Sequence, residues 1–432
     1  MKQMKRLIAF ALALLMLTSV LSACGEATPT TSAPAPATTA APAATTKAPE
    51  TSTKAPAATT AAPAATTQAP APTTVVPPET TAPAEPADYS KMSPDHSMEL
   101  KYAECFSVDY FTGGYKRIRI VDGTEILIVP EGSEVPANVP DSVYVLQQPV
   151  QKILVSSTPV TSLINAIGAL DAITLTTYDV DSWYIDEVKA ALTDGKMTYI
   201  GDYKAPDFEK ITAEGTTFCI FSTMLTDDVK EQLVNIGVDV MLDQSAQEDH
   251  PLARVEWAKL YGAMFNKEAE AEEVFNKQAE YVSELEKMEK TGKTVVMFYI
   301  TSKGVLYARK ADDYMAKMIA LAGGEYALSD VGVGETGTAK MELEAFYDKA
   351  KDADYIIYIW SMGGKPENMA AFKERAAILE DLKAVKEHQV WCTTPDYFQI
   401  QNTIGSMIND IRLMMEADES VDTLTYLFRL KE

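Results

Sequence analysis

The chain has 432 residues, with 62 acids against 38 bases, four Cys and three His. A net charge of −24 argues against nucleic acid and anionic lipid surfaces as partners reached through charge. So few Cys and His, widely spaced, leave neither a disulfide framework nor a His-x-x-His or Cys-x-x-Cys metal pattern.

The first element is a short charged start (Lys2, Lys5, Arg6) followed by an apolar run from Leu7 to Leu21. The run is too short for a comfortable spanning helix and ends in small residues, the layout of a secretory signal peptide. Leu21-Ser22-Ala23-Cys24 resembles the bacterial lipobox, which implies a lipoprotein signal peptide over 1–23 and a lipid-modified Cys24 as the mature N-terminus. The alternative is a signal peptide with an incidental Cys. Either way the rest is expected to work outside the cytoplasm, and the lipobox anchors it to the outer face of the cell membrane. Residues 24–87 are almost entirely Ala, Pro, Thr and Ser, too poor in large apolar side chains to offset chain entropy. They read as a disordered, semi-stiff tether.

The folded part is expected over 88–432. Residues 1–87 hold four of the acids and five of the bases, leaving 58 acids against 33 bases beyond them. Of its cysteines, Cys105, Cys219 and Cys392, two can pair only at long range, and free thiols are the simpler reading. Residues 88–150 form a small β-rich unit, with strands near Leu100–Tyr110, Tyr115–Val121 and Glu125–Val129. Gly113-Gly114 and Asp122-Gly123 mark hairpin turns, so these three strands read as antiparallel. A Pro-containing connector (Pro130, Pro136, Pro140) leads to a strand at Ser142–Gln147.

From Lys152 strands and helices alternate. Strand Ile153–Val155 enters a helix bearing Leu163, Ile164, Ile167 and Leu170, with Thr158 as its cap and Pro159 in its first turn. Strand Ile173–Thr176 follows, then Thr216–Phe221, a helix over Asp227–Ile236 and Val238–Leu242. A long amphipathic helix covers 267–290, with Val274, Phe275, Val282, Leu285 and Met288 on its apolar side. The alternation restarts with strand Thr294–Ile300, a helix over Tyr314–Ala322 and another over Glu342–Lys351. Strand Tyr355–Trp360, a helix near Leu379–Val385, strand Val390–Cys392 and a helix from Ile404 complete it. This is an α/β fold of two lobes, 151–266 and 291–432, joined by a single long helix.

Several stretches resemble bacterial ABC-transporter solute-binding proteins of the iron-siderophore, haem and vitamin B12 type, in that family's order. They are "KILVSSTPVTSLINAIGALDAITLTT", "GDYKAPDFEKI", "IGVDVMLDQS", "KLYGAMFNKEAEAEEVF", "LAGGEYAL", "KMELEAFYDKAKDADYIIYIW" and "LKAVKEHQVWCTTPDYF". The resemblance spans some 280 residues from Lys152 onward and implies the class III periplasmic-binding-protein architecture. It also implies a monomer that captures an iron chelate, haem or corrinoid between its lobes. Delivery is then to an ABC permease with its ATPase subunits, one acid per lobe meeting arginines of the permease. The matching acids are Glu209 in "DFEKI" and Glu344 in "MELEAF"; the bland alternative is a pair of ordinary solvated acids. The unit before Lys152 is not part of that family pattern.

Ligands of open α/β sheets sit beyond the carboxyl ends of strands. That rule nominates Ser157, Thr158, Tyr178, Trp183, Tyr203 and Thr223 in the first lobe, and Tyr299, Arg309, Trp360 and Tyr397 in the second. Any one of these aromatics can equally be lobe core, and Thr158 can simply cap its helix. Arg309 and, less strongly, Arg254 are candidate partners for an anionic group among only eight arginines. The acidic, arginine-poor chain argues for a neutral or cationic chelate or a corrinoid. No cofactor, catalytic residue or metal site is expected, although His250 or a Tyr can ligate iron in haem. With no Gly-x-Ser-x-Gly elbow and no phosphate loop the chain does not read as an enzyme. The alternatives are a wall-tethered adhesin or an extracellular hydrolase on the same scaffold.

Overall fold

The computed structural model describes residues 87–432. The signal peptide, Cys24 and the tether up to residue 86 lie outside the described residues.

Three sheets carry the fold. The first contains β1 (His96–Ser97), β2 (Phe106–Tyr110), β3 (Lys116–Ile120), β4 (Glu125–Val129) and β5 (Val143–Gln147), paired in that order. Gly113 and Gly114 turn β2 into β3 at φ +85° and +84°, a backbone conformation that glycine adopts without steric cost. The antiparallel expectation holds through β4, but β5 joins β4 in parallel. The connector over 130–142 is long enough to cross over, where a tight hairpin would have forced the opposite direction.

The second sheet is wholly parallel, ordered β10 (Asp239–Asp243), β9 (Phe218–Ser222), β6 (Ile153–Ser156), β7 (Ile173–Thr176), β8 (Thr198–Tyr199). All four residues of β6 are buried, as expected for a central parallel strand covered on both faces. Helices α1 (Thr158–Ala166), α2 (Asp186–Thr193), α3 (Phe208–Glu214) and α4 (Asp227–Asn235) belong to this lobe. Ser157, not Thr158, caps α1: its Oγ accepts from the Val160 N–H, while Thr158 already has helical backbone.

Two further helices, α5 (Pro251–Phe265) and α6 (Glu268–Leu285), fold back on each other around Asn266, which sits at φ +56°. A Cβ on Gly262 would lie 2.7 Å from that of Ala271, so glycine permits this close approach. The pair spans both lobe cores. Trp257, Leu260 and Ala263 pack in the first-lobe cluster, whereas Leu252, Val255, Phe275, Val282 and Leu285 pack in the second.

The third sheet is ordered β14 (Thr338–Met341), β12 (Leu306–Arg309), β11 (Thr294–Ile300), β15 (Tyr355–Tyr358), β16 (Val390–Thr393), β17 (Leu427–Arg429), with β13 (Glu325–Tyr326) also on β11. Strand β11 buries Val295 and Met297 on one face and Val296 and Phe298 on the other. Helices α7 (Tyr314–Leu321), α8 (Leu343–Ala350) and α9 (Ile404–Glu416) complete the lobe. The helix expected near 379–385 is instead a 3-10 turn, Ala377–Asp381, followed by one turn over Lys383–Lys386.

One buried acid in this lobe predicts a pH effect. Asp410 on α9 is 3% exposed and accepts the Tyr426 N–H at 2.6 Å; loss of solvation pushes its carboxyl up to about 6. Its ordinary value is about 3.9. The folded state therefore binds this proton more tightly than the unfolded chain, and its contribution to stability falls as pH rises from about 4 to about 6. Asp410→Asn raises the thermal midpoint more at pH 7 than at pH 4; a gain independent of pH contradicts the assignment.

Candidate functional site

Strand ends of both lobes meet at a cavity of about 470 Å³. From the first lobe come Pro159 in the first turn of α1, Met224 beyond β9 and Ala246 beyond β10, with Arg254 on α5. From the second come Arg309 at the end of β12, Asp313 and Tyr314 at the start of α7, and Tyr397, Phe398 and Gln401 in the loop after β16. A larger groove of about 1070 Å³ lies between the first sheet and α6, but no carboxyl end of a parallel strand points into it. The smaller cavity is the better candidate because both α/β sheets deliver loops to it.

Its two arginines differ in kind. Arg309 is buried and forks onto Asp313, Nε to Oδ1 at 2.8 Å and one terminal nitrogen to Oδ2 at 2.7 Å. Asp313 in turn accepts the backbone N–H groups of Met315 and Gly337 at 3.0 and 2.9 Å. That guanidinium is neutralised in place. Arg254 instead lies 3.8 Å above the Tyr314 ring and donates to the Ala246 carbonyl at 2.7 Å. Its Nε is buried without a partner, and among the described residues it forms no ion pair with a carboxylate. Stacking on an aromatic ring holds a cation in place without cancelling its charge.

Tyr397 supplies the second unspent group. Its ring is buried and packs edge-on to Phe398, while its hydroxyl has no hydrogen-bond partner. Burial pushes the phenol well above its ordinary value, so it stays a protonated donor. Arg254 and Tyr397 together offer donors to an acceptor-bearing ligand.

Of the residues nominated from sequence, the structure brings Arg309, Tyr397 and Arg254 to this cavity. Ser157 is occupied as the α1 cap, and Thr158 is half-buried beside the lining Pro159. Trp183 is wholly buried in the first-lobe core, its Nε1 donating to the Tyr178 carbonyl, and Tyr178 packs edge-on against it. Tyr203 lies against the other core cluster of that lobe, with Lys204 above its ring. Thr223 is exposed next to the lining Met224. Tyr299 stacks on Tyr307, and Trp360 sits edge-on to Phe428, so neither joins the lining. His250 accepts the Leu252 N–H through Nδ1 as the α5 cap, stacks on Tyr102 and faces no cavity wall.

Sequence reasoning missed Asp313, Tyr314 and Gln401. Asp313 caps α7, and its i,i+4 spacing from Arg309 is the signal that the sequence carries for the pair. Gln399 and Gln401 also fasten the lobes together. Gln399 accepts the Tyr184 N–H and donates to the Ser182 carbonyl, at 2.9 and 2.7 Å; Gln401 donates to the Arg254 carbonyl at 2.8 Å. Glu209 and Glu344 are exposed, in the first turns of α3 and α8, one on each lobe. Among the described residues Cys105, Cys219 and Cys392 are free thiols, no three His, Cys, Asp or Glu cluster as a metal site, and no helix is long and apolar enough to cross a membrane.

A family model described as "Periplasmic binding protein" matches residues 153–397. An uncharacterized lipoprotein of Methanocaldococcus jannaschii is 26% identical over 326 residues, covering 70% of this chain and 77% of that one. Two solved structures are similar in fold. A periplasmic binding protein from Veillonella parvula is 18% identical with a TM-score of 0.51, covering 72% of this chain and 97% of its own. A periplasmic haem-binding protein from Pseudomonas aeruginosa is 13% identical with a TM-score of 0.51, covering 65% and 98%.

Proposed function

The chain belongs to the periplasmic binding protein family, with a class III two-lobed α/β fold, and on that premise we propose that it is the solute-capture lipoprotein of an ABC importer. It is held outside the cell membrane by lipid on Cys24. It takes an iron chelate, haem or a corrinoid into the cavity between its lobes, and presents Glu209 and Glu344 to the permease. The observation that carries this reading is the cavity itself: two lobes converge on one volume, and two donor groups, Arg254 and Tyr397, line it with hydrogen-bonding capacity unspent.

The local charge also revises the ligand expected from net charge. An unpaired guanidinium in the wall favours a ligand bearing an anionic or strongly accepting oxygen over a cationic one, whatever the sign of the outer surface. The periplasmic haem-binding protein of Pseudomonas aeruginosa, similar in fold, and the lipoprotein of Methanocaldococcus jannaschii support this reading. No observation favours an adhesin or a hydrolase. Thermal unfolding with a ferric hydroxamate siderophore, haemin or cyanocobalamin tests it. A ligand at a hundredfold excess over its Kd adds about 2.7 kcal/mol and raises the midpoint; three flat titrations contradict the proposed ligand class.

A further inference from the structure

The β-rich unit of residues 88–150 contributes nothing to the cavity wall; its polar contacts run to α5 instead. Glu256 of α5 is wholly buried, and its carboxylate accepts three consecutive backbone N–H groups, from Lys101, Tyr102 and Ala103, at 2.8, 2.7 and 2.8 Å. Glu248, just ahead of α5, accepts those of Glu104 and Cys105 at 2.9 and 3.0 Å. Lys116 of the first sheet and Gln148, just beyond β5, then complete the other end of the helix. Lys116 donates to the Ala263 carbonyl at 2.9 Å and Gln148 to the Met264 carbonyl at 3.1 Å. Both also reach Asn266 Oδ1, at 2.7 and 2.8 Å, and Lys116 pairs with Glu268 at the start of α6. The last carbonyls of a helix have no partner within it, so α5 takes its terminal cap from a different sheet.

From this geometry we infer that the β-rich unit is a brace for the inter-lobe hairpin. It fixes α5 and α6 as one body with the first sheet, and the chain preceding residue 87 joins the folded part through that body. Glu256 and Arg254 are two residues apart on α5, roughly 200° around the helix, so the braced side is opposite the cavity side. The proposal is independent of which ligand the cavity holds.

Hydrogen exchange on the full chain tests it, comparing wild type with Glu256→Gln and Lys116→Met. Glutamine offers one acceptor oxygen and an NH₂ where three N–H groups converge, so opening becomes easier. In wild type the amides of 101–105 exchange as slowly as those of α5. In either variant exchange rises about tenfold or more across 101–105 and also across α5 and α6, while the amides of β3 and β4 stay protected. Fast wild-type exchange at 101–105, or a rise confined to those residues while α5 and α6 are unchanged, overturns the brace. If Glu256→Gln fails to fold, Lys116→Met reads the same coupling from the capped end.

Discussion

Transport in vesicles holding the cognate permease falls by about a hundredfold when Glu209 and Glu344 are both replaced by Ala, and ligand affinity stays unchanged. Each acid is exposed in the first turn of a helix, where the positive end of the helix dipole favours a carboxylate. Exposed acids add little to folding, so the melting midpoint of the double variant matches wild type. On the proposed docking role their effect is on encounter and register: two charges on separate lobes define a line, and basic permease loops that met both would orient the cleft. Each single replacement costs about tenfold, and the loss shrinks as salt screens the attraction in wild type as well. Wild-type transport by the double variant places the docking surface elsewhere.

Arg254→Ala weakens ligand binding by about ten- to a hundredfold, the range for a hydrogen bond to a charged group. Arg254→Lys restores only part of that, because the ammonium lacks the planar fork and the stacking on Tyr314. The folded state tolerates Arg254→Ala, since no carboxylate is left behind. Arg309→Ala behaves in the opposite way. It strands Asp313, 2% exposed, without its cation and destabilises the lobe by about 3–5 kcal/mol. Equal losses of affinity at equal stability for the two variants would mean that the arginines share one role, against the geometry.

The strands and the alternating helices were legible because β6, β7 and β11 are short β-branched runs bounded by turn residues. Helix α5 was not. It is buried on nearly every side, so it has no apolar stripe for a periodic pattern to report, and even its charged Glu256 and Lys259 lie inside. The site was half legible for a similar reason. A strand end places a residue near a cleft but does not say which way its ring turns: Tyr397 lines the cavity, whereas Trp183 turns into the core. The free charge of Arg254 depends on Asp313 taking Arg309 and on the Tyr314 ring, a three-way arrangement that no spacing rule encodes.

The proposed site holds one ligand between the lobes, against Arg254 and Tyr397. The most direct measurement is the absorption spectrum of the chain isolated from its native host, taken beside Arg254→Ala prepared in the same way. Wild type is expected to carry about one equivalent of a coloured chelate or corrinoid, with a Soret, charge-transfer or corrin band, and the variant a much weaker band. A band of equal strength in both preparations would contradict it.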